Sequence, residues 1–153
     1  MTTTTASIPV PPTAREQGSL RVLVGTMIPA STRYEVPGAD DEAIFADIVR
    51  SLGRDTQVVR RAIAVLDELA GGSLADCPAQ ARDDAIACFR SEHPALATTL
   101  VAVTVRCYYR DDRVMRSIGM ELRPPYPKGF EIEQGDWSLL EPVRQRGPIW
   151  RRA

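Results

Sequence analysis

Residues 93–108 read His93-Pro94-Ala95-Leu96-Ala97-Thr98-Thr99-Leu100-Val101-Ala102-Val103-Thr104-Val105-Arg106-Cys107-Tyr108, and whether they form a strand or a helix decides the fold. The β-branched run from Thr98 to Val105 suits a strand. Against that stand the length of the apolar run and Pro94, whose fixed φ is pre-set for a first helical turn. At helical spacing Leu96, Leu100, Val103 and Cys107 fall on one line, and Ala97, Val101 and Tyr108 on another. The segment Pro94 to Tyr109 is therefore apolar nearly all round, the pattern expected of the central helix of a bundle.

The flanking sequence is helical by the same tests. Arg15 to Ile28 places Leu20, Leu23, Val24 and Met27 on one face before Pro29 stops the helix. Asp40, Asp41 and Glu42 supply a cap and first-turn negative charge for a second helix, whose stripe is Ile44, Phe45, Ile48, Val49 and Leu52, with Gly53 as its punctuation. A third begins at Asp55 or Thr56, buries Val59, Ala62, Ile63, Leu66 and Leu69, and ends at Gly71-Gly72; Arg60, Arg61, Asp67 and Glu68 fall on its wet side. Pro78 opens a fourth, with Ile86, Cys88 and Phe89 among its apolar positions, and a short helix around Asp112 to Ile118 ends at Gly119. About five or six short helices in the first 119 residues make the chain all-α, a compact irregular helical bundle followed by an extended, proline- and aromatic-rich C-terminal segment. The expected organisation is a leader over residues 1–14, a helical domain over 15–119 and a C-terminal segment over 120–153.

Composition narrows the function classes. The chain has 153 residues, 44% hydrophobic and 25% charged, with 19 basic against 20 acidic side chains, so no net charge argues for nucleic acid or an anionic membrane. Lys128 is the only lysine, an arginine bias consistent with coding composition. The N-terminus lacks the basic and apolar regions of a signal peptide, and no apolar run is long enough to span a bilayer. Three widely spaced cysteines, Cys77, Cys88 and Cys107, suit reduced thiols, and the expected location is the cytoplasm.

Candidate chemistry is sparse. The one histidine, His93, precedes Pro94 at a helix junction, where capping is the commoner role. With no CxxC pair, no glycine-rich phosphate loop and no nicotinamide or flavin fingerprint, no catalytic, cofactor or metal residues are expected in this chain. The most distinctive string of the body is Tyr108-Tyr109-Arg110-Asp111-Asp112-Arg113. It supports either an acid–base site using Tyr108, Tyr109, Asp111 and Asp112, or a helix cap with tyrosines that bury their rings and direct their hydroxyls to polar partners.

The C-terminal segment is built for recognition. Pro124-Pro125-Tyr126-Pro127 is stiff, so part of its ordering entropy is removed before it binds, and Trp137 and Trp150 are residue types concentrated at interface hot spots. Together with Tyr108 and Tyr109 these are the expected partner-contacting residues. The same aromatics would also serve to staple the segment to its own bundle.

Four strings taken in order resemble the gluconate 2-dehydrogenase subunit 3 family. They are Leu20 through Met27-Ile28-Pro29-Ala30, Tyr34-x-x-Pro37-Gly38-Ala39, Tyr108-Tyr109-Arg110-Asp111-Asp112-Arg113-Val114 with Gly119, and Arg123-Pro124-Pro125-Tyr126-Pro127-Lys128-Gly129. The likeness runs from about Leu20 to Trp150. It implies a small, cofactor-free accessory subunit that binds and stabilises, or helps to mature, an FAD-dependent sugar or alcohol dehydrogenase of the glucose–methanol–choline class. FAD is then expected in the partner flavoprotein, to which some complexes add a cytochrome subunit. Many members of that family carry a twin-arginine export signal, whereas residues 1–19 here hold none, so a cytoplasmic dehydrogenase is the simpler expectation. Outside that family, a general helical adaptor or chaperone is the remaining alternative.

Overall fold

A computed structural model describes residues 10–122, 129 and 134–146. The chain divides into two compact units, Met1–Leu122 and Arg123–Ala153. Among its described residues the first holds six α-helices: α1 Ala14–Met27, α2 Glu42–Arg50, α3 Thr56–Leu69, α4 Ala79–Glu92, α5 Pro94–Tyr108 and α6 Asp112–Ser117. Among the described residues there is no β-strand, only an isolated antiparallel bridge between Ser31 and Val36. The all-α expectation is therefore met, and residues 94–108 are helical, with His93 as the cap. None of the described helices is long and apolar enough to cross a membrane.

The helix starts follow capping chemistry. Thr13 and Glu16 form a reciprocal capping box at α1, and Gln17 donates to the carbonyl of Pro12, so the folded part reaches back into the expected leader. Asp41 accepts from Ala43 and Ile44 at the start of α2, and Asp111 accepts from Arg113 at the start of α6. Gly53, Gly71 and Gly119 take positive φ where helices end or turn, a conformation open to glycine without steric cost.

Helix α3 packs against α1, α4 and α5, while α5 also packs against α2 and α4. Leu20, Ile48, Ile63, Leu66, Phe89 and Leu100 are among the buried side chains of the shared core. Contrary to expectation, α5 is not enclosed on all sides. Leu100, Val103, Thr104 and Cys107 are buried, whereas Val101 and Val105 are 48% and 36% exposed. The neighbouring helices of so short a bundle cover only the inner side of α5, so an all-round apolar sequence leaves apolar surface outside.

Asp67 also departs from its expected place on the wet face of α3. It is partly buried, and one of its carboxylate oxygens accepts from the Ser19 hydroxyl at 2.7 Å and the Leu74 amide at 2.9 Å. The turn through Gly71 brings residues 73–74 back over that end of α3, and fully buried Ser19 on α1 meets Ser73 there at 3.2 Å. Helical spacing predicts which face a residue occupies but not which loop folds back over it. Arg60, also expected on the wet side, is partly covered and donates to Glu16 of α1 at 2.9 Å.

The second unit, taken by itself, contains a 3-10 turn, Trp137–Leu140, followed by α7, Glu141–Gln145. Asp136 caps the turn through Ser138, and Pro142 sits in the first turn of α7, where its missing N–H is harmless. This stretch is helical where its composition shows no periodicity.

Replacing Asp67 with Ala leaves the Leu74 amide without its acceptor and the buried Ser19 hydroxyl with Ser73 as its remaining partner. The expected loss is about 2 kcal/mol of stability, measured by urea denaturation followed by circular dichroism.

Candidate functional site

The Tyr108–Arg113 string forms the turn from α5 into α6, and its side chains point in different directions. Tyr108 follows buried Thr104 by four residues and Tyr109 follows exposed Val105 by four, so the first lies on the inner line of α5 and the second on the outer one. Tyr108 is accordingly 5% exposed, and its hydroxyl donates to the Pro37 carbonyl at 3.0 Å. Tyr109 is 51% exposed and meets the Tyr108 ring edge-on, with centroids 5.4 Å apart. The expectation that both tyrosines present themselves to a partner is corrected accordingly. Tyr108 fixes the 29–41 loop against the core, and Tyr109 is the surface residue.

The charged members of the string close a clasp over α2. Arg113 donates to Asp111 through Nε and Nη2, each at 3.0 Å, and to Asp41 through Nη2 at 2.7 Å and Nη1 at 3.2 Å. Asp41 is also the N-cap of α2, so one guanidinium ties the caps of α2 and α6 together. Arg110 bonds Asp47 on α2 through Nε and Nη2 and reaches the Ser51 hydroxyl at 2.7 Å. Asp112, the last member, is exposed and stands 3.9 Å from Arg116.

A cleft of about 450 Å³ opens beside this clasp, lined by Asp47, Arg50, Cys107, Arg110, Asp111 and Arg113. The bonds from Arg113 hold the carboxyls of Asp41 and Asp111 below the usual carboxylate range. At Asp47, partial burial pushes the carboxyl up, but bonds from Arg110 and Arg50 outweigh it and leave it lowered. Burial, followed by the nearby charge of Asp47, raises the Cys107 thiol, which therefore stays protonated and unreactive near neutrality. The cleft offers ionised carboxylates already engaged by arginines, a structural arrangement rather than one suited to moving protons.

The other chemical candidates lie apart. His93 joins α4 to α5 with its ring beside Phe89, 5.8 Å between centroids. All three cysteines are free thiols; Cys107 is buried, while Cys88, expected in the core, is only partly covered. Among the described residues no three His, Cys, Asp or Glu side chains group as metal ligands would.

Of the C-terminal candidates, Pro124, Pro125, Tyr126, Pro127 and Trp150 lie outside the described residues. Trp137 is described and 61% exposed, its indole N–H donating to Gln134 at 2.9 Å. Leu139, Leu140 and Val143, which sequence reasoning did not single out, are 73%, 41% and 57% exposed beside it. Tyr34 was likewise passed over as a site residue. It stands 63% exposed on a loop closed by paired bonds between Ser31 and Val36, with the Arg33 guanidinium 5.4 Å from its ring centroid and Glu35 in the left-handed region at φ 53°. The signal that would have found it is its place in the Tyr34-x-x-Pro37 string.

Compared with known proteins, the chain matches no family model, no curated protein and no solved structure.

Replacing Arg113 with Ala leaves Asp41 and Asp111 without their cation. The expected cost is about 1 kcal/mol at pH 7, the scale of partly exposed pairs. Both carboxyls are lowered in the folded state, so their contribution is full above the ordinary value of 3.8 and is lost as pH falls through the lower folded values. Urea midpoints of the two proteins should therefore converge below about pH 4.

Proposed function

We propose that this chain is a non-catalytic small subunit that binds and stabilises, or helps to mature, an FAD-dependent sugar or alcohol dehydrogenase. The observation that carries this reading is the exposed apolar set of the second unit, Trp137, Leu139, Leu140 and Val143, gathered within seven residues. Large apolar side chains presented together are surface that a soluble protein keeps for contact. Trp137 supplies the rigid, high-area side chain typical of a hot spot, and its one polar atom is already satisfied locally. The resemblance of the four ordered strings to gluconate 2-dehydrogenase subunit 3 proteins supplies the kind of partner, a flavoprotein that would hold the FAD.

The state of the Tyr108–Arg113 string favours this reading over a stand-alone enzyme. An acid–base site built on Tyr108, Tyr109, Asp111 and Asp112 would need all four free to exchange protons with one substrate, and only Tyr109 and Asp112 stand exposed. Tyr108 is instead buried and bonded to Pro37, and Asp111 accepts three bonds from Arg113. Their effect on a partner is indirect, through the placing of Tyr109 and of the loop that carries Tyr34.

Purified from its native cells, the chain should emerge in fixed stoichiometry with a yellow flavoprotein, and alone it should be colourless and inactive. Deleting residues 120–153 should abolish the complex while most helical circular dichroism remains, and Trp137→Ala should weaken it by about tenfold or more. Absence of any flavoprotein from the purified material overturns the proposal. Loss of helical signal in the truncated chain would show that the segment serves its own core.

A further inference from the structure

A groove of about 370 Å³ runs between the C-terminal half of α1, α4 and the outer side of α5. Its floor is the buried side chains of Leu23, Phe89 and Leu100, and its walls include Met27, Ile28, Ile86, Val101 and Val105. The one hydroxyl at its edge, that of Thr26, donates to its own helix at the Val22 carbonyl, leaving the groove little polar demand. Val101, Val105 and Tyr109 recur at every fourth residue, so the apolar stripe continues along α5 past the groove to its end. Such spacing matches the ridge of a second helix laid alongside, as in helix-in-groove recognition.

The charges around the groove select the occupant. Arg90 is its only charged lining residue, and among the described residues it forms no ion pair. On the same edge of α4 the nearest acid, Asp83, stands two turns away, and α5 carries no acidic residue, its Arg106 being bound to Asp55 and the Ser51 carbonyl away from the groove. A second copy of this chain laid by its α5 along the groove would bring Arg90 no acidic partner, since α5 has none. An acidic flank would instead complete an ion pair that the monomer leaves open.

We propose that the α1/α4/α5 groove is a docking site for an amphipathic helix of a partner protein, apolar along one ridge and acidic on its flank, with Arg90 reading the acid. The distance from Ala97 to Val105 along α5, about 12 Å, accommodates a little over two turns of the incoming helix. This site lies on the helical body and does not depend on the partner being a flavoprotein.

The test uses the full-length protein and two fluorescent helical peptides of about five turns, with leucines at i, i+4 and i+7 and either glutamates or lysines on the flank. Anisotropy should show the glutamate peptide binding about tenfold more tightly than the lysine peptide, and Arg90→Glu should reverse that order. Val101→Asp, at an exposed position, should weaken both peptides by about tenfold or more with unchanged circular dichroism. Peptides that do not bind, or that bind equally well to the protein and to Val101→Asp, overturn the proposal. Sedimentation showing a dimer that Val101→Asp dissolves also overturns it, by assigning the face to a second copy.

Discussion

Between Pro94 and Tyr108 the only charged side chain is Arg106, and α5 must place this nearly uninterrupted apolar surface somewhere. Its inner side solves the folding problem, with Leu100, Val103 and Cys107 filling the space against α2, α3 and α4. Each such side chain contributes roughly 1.5–3 kcal/mol when fully buried, which is why α5 anchors the body despite its β-branched residues. No described helix of the first unit covers the remaining side. Exposure of Val101 and Val105 follows from that shortage, and the groove is its geometric expression.

The clasp at the end of α5 works by direction rather than by strength. Partly exposed ion pairs contribute little each, so Arg113 and Arg110 do not hold the body together as the core does. They decide where things point. Arg113 joins the caps of α2 and α6, Tyr108 holds Pro37, and the Ala39 amide closes the intervening loop onto the Ile28 carbonyl at 2.8 Å. Tyr34 and Tyr109 are outward-facing because these inward bonds leave them no other place.

Much of this was legible in the chain. Periodicity located the six helices of the body, and Asp41, Pro94 and Gly119 marked their ends because capping and φ preferences are local physics. What escaped was either non-local or masked by composition. Asp67 sits at a solvent-facing period position, but the chain after Gly71 returns over it and lends it the Leu74 amide. Thr13 and Glu16 spell a capping box that the prolines before them obscured. Trp137 to Gln145 is helical although its short turns are too brief for any period to show. Tyr108 and Tyr109 are alike in composition, and only the burial of Leu100 and Thr104 against the exposure of Val101 and Val105 separates the line that each continues.

On the proposed reading function is carried by surface, and magnitudes show what such surface can accomplish. Completing the burial of a few half-exposed side chains at about 1 kcal/mol each, together with the leucines of an incoming helix at roughly 1.5–3 kcal/mol each, less the cost of association, limits the α5 groove alone to micromolar affinity or weaker. The Trp137 cluster is subject to the same bound. Two modest surfaces carried by one chain are a different matter, because engagement of the first raises the effective concentration of the second and the combined affinity exceeds either by a factor of about a hundred or more. A chain with two such surfaces can in that way hold a larger protein firmly, provided that protein presents an acidic-flanked helix to one surface and an apolar pocket to the other.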